Sequence, residues 1–267
     1  MATLTVDRTR TREAVQEVTD ALVGLVGSVP DTGVRMPDHD WTVGDAASHL
    51  IIAARLFGEL VQGVPTFYAE SNRESLAAAN AHSLSTRTER DGRVLAADLA
   101  ESMGALLAGM AARPPTQRML TPMGDMDQDM LLSYTLTHLL MHGHAMARAL
   151  RKPSPVTRER VSLTLPFIAG AMRTVLAPER VGRLTATYLI HLRGGPKLAV
   201  SFTGGAIDVA TTAPTHVDCH LSADPVAFFL VGVGLVSQWG QIARFKMLAW
   251  GTKPWLGLRL VGFFSPP

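Results

Sequence analysis

The sequence predicts a two-part, α plus α+β protein: a four-helix bundle over residues 1–152 and a smaller α+β domain over residues 153–267. Three observations predict it. Apolar residues recur at helical spacing through four long segments of the first part. A basic, proline-containing stretch, Arg151-Lys152-Pro153-Ser154-Pro155, then interrupts the pattern. Beyond residue 180 the apolar period changes from helical to alternating, as a half-buried strand requires.

The first helix is expected over residues 9–26, where Val15, Val18, Ala21, Leu22 and Leu25 form one apolar stripe; Gly27 and Pro30 end it. The second has a readable start. Thr42 is a good N-cap and Asp45 stands three residues on, a short-armed capping box, so residues 43–60 continue as helix until Gly63 and Pro65. A short helix is expected at 71–81. A third long helix runs over 94–112, stopped by Pro114 and Pro115, and a loop through Thr121-Pro122-Met123-Gly124-Asp125 leads to the fourth, 128–150. A further helix at 159–175 bridges to the second part.

In that second part residues 184–192, 198–203 and 206–211 alternate or are β-branched, and Thr203-Gly204-Gly205 signals a hairpin. Residues 216–222 are a further expected strand. Helices are expected at 224–235 and 238–248, and a closing helix or strand at 255–264.

Composition narrows the function. The chain has 267 residues, 25 cations against 23 anions, and no run of five Lys or Arg, so a nucleic-acid partner, which needs a clustered basic face, is not expected. Its single cysteine, Cys219, excludes an intrachain disulfide and fits a reducing cytoplasm. The N-terminus lacks a signal-peptide core, and the longest apolar run, 227–236, is about half a membrane span, so no membrane partner is expected.

One constellation carries chemistry. His138 and His142 are four apart within Leu139-Leu140-Met141, so on a helix both imidazoles lie on one face in apolar surroundings. That spacing chelates one metal, and a third ligand must come from another element. His49, one turn into the second helix among Ala46, Ala47 and Leu50, is the expected third ligand. Three imidazoles leave a further position open, the arrangement of a catalytic rather than a structural zinc. His144 points away from that face. His39 and His82 are expected in loops, and His191, His216 and His220 are read as structural. Cys219 is read as a small buried hydrophobe.

Two segments resemble a known family. Asp40-Trp41-Thr42-Val43-Gly44-Asp45 with Ser48-His49-Leu50, and His138-Leu139-Leu140-Met141-His142-Gly143, are similar to the two signatures of the mycothiol-dependent maleylpyruvate isomerase family, within the DinB-like metalloenzyme superfamily. The resemblance covers residues 8–152. The second part is similar to the sterol-carrier-like domain that such proteins often carry, through Asp224-Pro225-Val226-Ala227-Phe228-Phe229 and Trp250-Gly251. The resemblance implies a DinB-like bundle, His49, His138 and His142 as metal ligands, and mycothiol as the thiol co-substrate. It also implies a Glu in the isomerase where this chain has His138, and an Asp where it has Ala145. Both differences point away from maleylpyruvate isomerisation itself and leave metal-plus-thiol chemistry.

The expected function is therefore that of an enzyme, an S-transferase or isomerase. A divalent metal, expected to be zinc, would activate the thiol of mycothiol toward an electrophilic small molecule. No residue stands out as catalytic beyond the ligands. Trp41 and Arg244 are the expected cofactor contacts, with Arg55 a further cation within reach of carboxylates. Trp41 is also read as an anchor at the helix start. The alternative is a non-catalytic carrier of an apolar molecule, its cleft lined by Phe228, Phe229, Leu230, Trp250 and Trp255. A degenerate regulatory module is disfavoured by the intact histidine set. A monomer or homodimer is expected.

Overall fold

The computed structural model describes residues 4–37, 40–64, 66–68 and 73–265. Its contacts divide the chain into two compact units, Val6–Leu163 and Thr164–Pro267, with Leu4 packed against the core of the latter. The division falls within a helix, later than the residue 152/153 boundary expected from the proline-containing stretch.

The first unit is built on four long helices: α1 (Arg8–Gly27), α2 (Val43–Gln62), α4 (Gly92–Ala111) and α5 (Gln128–Ala149). Helix α4 packs against α1 and α2, and α5 packs against the same two. The apolar stripes explain the assembly: Val15, Val18 and Leu22 of α1, Ile51 of α2, Leu95, Leu99 and Leu106 of α4 and Leu136 of α5 are essentially inaccessible. Among the described residues α4 alone is long and apolar enough to cross a membrane; here its apolar side is spent on its neighbours.

Local signals explain the boundaries. Thr42 Oγ1 accepts from the Asp45 amide at 3.1 Å and Asp45 Oδ2 accepts from the Thr42 amide at 2.9 Å, the full capping box. Arg90 adds an ion pair to Asp45 at 3.0 Å. Gly63, left-handed at φ 80°, closes α2. Asp127 caps α5 through the Met130 amide at 2.8 Å.

Two details differ from the sequence reading. The short helix α3 is Arg73–Ser85, so it runs further than residue 81 and places His82 on a helix rather than in a loop; its expected start at Ser71 and the loop residue His39 lie outside the described residues. The stretch read as a loop before α5 contains a hairpin, β1 (Arg118–Thr121) and β2 (Gly124–Asp127), with Met119 opposite Met126. Its four-residue strands are too short for alternation to register in sequence, whereas both methionines are buried in the fold.

Helix α6 (Arg158–Thr174) and the short α7 (Pro178–Val181) lead into a five-stranded sheet of order β5-β4-β3-β6-β7. Strands β3 (Ala186–Leu192), β4 (Lys197–Thr203) and β5 (Ala206–Ala210) form an antiparallel meander; β6 (Cys219–Ala223) runs parallel to β3, and β7 (Met247–Trp250) is the antiparallel edge. Gly204 and Gly205, at φ 59° and 94°, make the expected hairpin turn. One sheet face buries Tyr188, Ile190, Leu198, Val200, Phe202 and Leu221.

After α8 (Pro225–Gly232), the helix expected at 238–248 is divided. Helix α9 stops at Ala243, and Met247–Trp250 joins the sheet as β7. The cause is a Schellman ending: the Lys246 amide bonds Gln241 O and the Phe245 amide bonds Ile242 O, both at 2.9 Å, with Phe245 left-handed at φ 56°. Phenylalanine gives no such signal in sequence, because glycine normally takes this position. The strand expected at 216–222 begins at Cys219, and the closing segment forms 3-10 turns at Pro254–Leu258 and Leu260–Phe263.

Candidate metal centre

Helices α2 and α5 bring His49, His138 and His142 to one point in the first unit. All three are buried, with 5–7% of each exposed. Their available ring nitrogens lie within 4.8 Å of one another, and the ring centroids are 4.7–4.8 Å apart in edge-on pairs. Nε2 of His49 and Nε2 of His138 are 2.9 Å apart. Nitrogens held about 2.0–2.1 Å from a tetrahedral zinc sit about 3.3 Å from each other, so small shifts suffice to admit an ion.

The electrostatics suit metal binding. Burial lowers His49 from its ordinary value to about 4. It lowers His138 further, and neighbouring His49 adds to the shift. Both rings are therefore neutral at pH 7 and keep a lone pair for a metal. His49 Nδ1 is buried without a hydrogen-bond partner. Three buried imidazoles, two of them kept neutral by that burial, fit a divalent transition metal.

A pH dependence follows. As pH falls below about 6.5, the unfolded chain protonates His49, but the folded chain does so only near 4. Metal-free protein therefore loses stability as pH falls across that window, by about 2 kcal/mol at pH 5 from His49 alone. Urea unfolding of chelator-treated protein at pH 7.5 and pH 5 checks this: the midpoint is expected lower at pH 5, and the difference smaller in His49→Gln.

Trp41 does more than anchor the helix start. Its ring stacks on His142 at 5.6 Å and 14°, and tilts against His49 at 5.0 Å. It thus orients two of the three imidazoles. Trp41→Ala is expected to weaken zinc affinity about 10- to 100-fold, the usual cost of losing a group that orients a ligand, measured by competition with a zinc-binding dye. Gly143 explains why a glycine follows His142: a Cβ there would meet Leu22 Cδ2 at 2.9 Å and Pro155 Cγ at 3.0 Å.

Tyr134 was legible but not singled out. It lies one turn before His138, and its ring is 5.8 Å from that imidazole and 5.2 Å from Phe57. A small apolar hollow lined by Ala53, Phe57, Met103 and Leu139 adjoins His138.

The other expected residues lie elsewhere. His144 faces away from the triad and hydrogen-bonds Ser154 Oγ through Nδ1 at 2.8 Å. Arg55 is held by Ser102 at 3.1 Å, with Asp98 at 3.9 Å. Arg244 is exposed at the end of α9, in the second unit. Cys219 is buried, and burial pushes its thiol up, as for a core hydrophobe. His191, His220 and Trp250 gather on the sheet face opposite the core, with His220 stacked on Trp250. The residues expected to line a carrier cleft are dispersed: Phe229 and Leu230 are buried, Phe228 packs on the core, and Trp250 and Trp255 are exposed.

Residues 11–147 match the family described as mycothiol maleylpyruvate isomerase N-terminal domain. The chain belongs to this family. The match includes α2 and, up to residue 147, α5, and therefore all three histidines. Among solved structures the chain is similar in fold to the mycothiol-dependent maleylpyruvate isomerase, with a TM-score of 0.55, 12% identity, and coverage of 91% of this chain and 93% of that one. A histidine-to-alanine mutant of that isomerase is similar at 11% identity, with the same TM-score and coverage. A ubiquinone synthesis protein, UbiJ-SCP2, aligns with 36% of this chain and 88% of its own at 15% identity and a TM-score of 0.31. No curated protein matches the chain. The fold class is as expected, a helical region followed by a mixed-sheet domain.

Proposed function

We propose that this chain is a metal-dependent enzyme that uses mycothiol to act on an electrophilic small molecule, by S-transfer or by isomerisation. The supporting observation is the convergence of three buried imidazoles in a chain of this family. His49, His138 and His142 would hold the metal, for which zinc is our assignment. When bound, the metal lowers the pKa of a thiol and so supplies thiolate at neutral pH.

The protein's own groups do the rest. Burial keeps His49 and His138 deprotonated, so these two ligands need not lose a proton before binding. Trp41 fixes the ring planes of His49 and His142. The apolar side chains around the small hollow beside His138 limit water near the thiol. Holding thiol and electrophile together removes much of the entropic barrier of a bimolecular reaction. We assign the enzyme to the cytoplasm, as a monomer or homodimer with thiol and electrophile as its partners.

The test uses zinc-loaded and chelator-stripped protein with mycothiol and maleylpyruvate, following thiol loss and isomer formation separately. Turnover that needs both zinc and thiol supports the proposal. Thiol regenerated each cycle indicates isomerisation; thiol consumed in step with an added electrophile indicates transfer. Zinc-loaded protein that neither binds nor turns over mycothiol would overturn it.

A further inference from the structure

The end of the second unit carries a surface that this chemistry does not use. From Pro225 to Ser265 the chain has no Asp or Glu, yet it contains Arg244, Lys246, Lys253 and Arg259. Lys253 is paired with Asp218 at 2.8 Å. Arg244, Lys246 and Arg259 are exposed and make no ion pair among the described residues. The same segment holds Trp239, Phe245, Leu248, Trp250, Trp255 and Leu258, each 41–72% exposed. More than half of the large exposed apolar side chains described in the protein thus fall within twenty residues, too dense for the scatter of an ordinary surface.

The fold gathers them. Helix α9 packs on β7, and β7 packs on the 3-10 turn Pro254–Leu258. The Gln238 side chain donates to Leu258 O at 3.1 Å, closing α9 onto that turn. Strand β7 is the edge of the sheet, so nothing in the sheet lies beyond it.

Phe245 sharpens the reading. It occupies the left-handed position of the Schellman ending at φ 56°, where a bulky side chain is strained and glycine is relaxed. Its ring is 72% exposed, so packing does not compensate for that strain. Arg244 and Lys246 flank it, both exposed.

We propose that this surface of the second unit docks on the anionic phospholipid surface of a bilayer. Trp239, Phe245 and Trp255 enter the boundary between headgroups and acyl chains, and Arg244, Lys246 and Arg259 face the phosphates. This is peripheral contact through surface side chains, and not a membrane span. A second copy of the chain fits less well, because a twofold contact would oppose uncompensated cations of the same sign. A nucleic acid fits less well too, because the segment has only three cations outside an ion pair among the described residues and no basic run to track a phosphate backbone.

Co-sedimentation of the full-length protein with vesicles tests this. The protein is expected to partition onto phosphatidylcholine vesicles containing phosphatidylglycerol, weakly onto phosphatidylcholine alone, and less as salt rises. Lys246→Ser is expected to lower the anionic partition coefficient about fivefold. Phe245→Gly is expected to lower it while raising the melting temperature, since it removes the ring and the backbone strain together; a merely structural phenylalanine would not separate those readouts. The proposal is overturned by partition that is absent or equal on the two vesicle types, or unchanged in both variants. It is equally overturned if a single-stranded oligonucleotide, and not the vesicles, is bound through the same residues.

Discussion

His142→Ala is expected to lose bound metal and thiol-dependent turnover together. His142 offers one of three ligand nitrogens clustered within 4.8 Å, and it is the one on which Trp41 stacks. Removing a ligand leaves two imidazoles and a cavity, and should cost more than the 10- to 100-fold that loss of an outer partner costs. Elemental analysis of protein purified without chelators is expected to give about one metal per chain in the wild type and none in His49→Ala, His138→Ala or His142→Ala. His138→Glu should retain metal, because a carboxylate at that position is what the resemblance implies for the isomerase. Full metal content and turnover in all three alanine variants would remove the site. Melting curves guard against misfolding, since replacing one buried histidine leaves the apolar core of the bundle intact.

Gly92→Ala is expected to be the most damaging small substitution in the bundle. Gly92 opens α4, and a Cβ there would lie 2.0 Å from Val29 O and 2.4 Å from Val26 O, at the end of α1. Backbone carbonyls cannot swing aside as a side-chain tip can, so α1 and α4 would have to separate. Overpacking costs about 1–3 kcal/mol where side chains yield; here about 3 kcal/mol or more is expected. Gly104→Ala is the control. It lies in the same helix with nothing within 4 Å of its Cβ, so it should stabilise by about 0.5–1 kcal/mol through helix propensity. Urea unfolding midpoints moving in opposite directions would establish that steric approach, and not glycine chemistry, sets the sign. Equal midpoints would contradict this account of the α1–α4 contact.

What was legible in the sequence was local. The four long helices, the capping box at Thr42 and Asp45, the Gly204-Gly205 turn and the change of period past residue 180 are decided by neighbours a few residues away, which is the range over which periodicity and capping act. The pairing of His138 with His142 belongs to the same class, because helix geometry alone puts residues four apart on one face.

Tertiary structure decided everything that joins distant segments. His49 stands 89 residues from His138, and only the packing of α2 on α5 sets their nitrogens 2.9 Å apart. Trp41 looked like a helix-start anchor until the fold laid its ring on His142. The Met119–Met126 hairpin is too short to declare itself, and is held by the burial of its side chains. The split of the 238–248 segment rests on Phe245 adopting a conformation that glycine normally marks. Strand β7 forms because Ala223, Ser222, Leu221 and His220 of β6 present an unpaired edge at that point. The sequence by itself determined which segments are helical or extended and which histidines share a helix face. The tertiary structure decided which of those faces meet, because that choice depends on burial and pairing between residues that no local pattern connects.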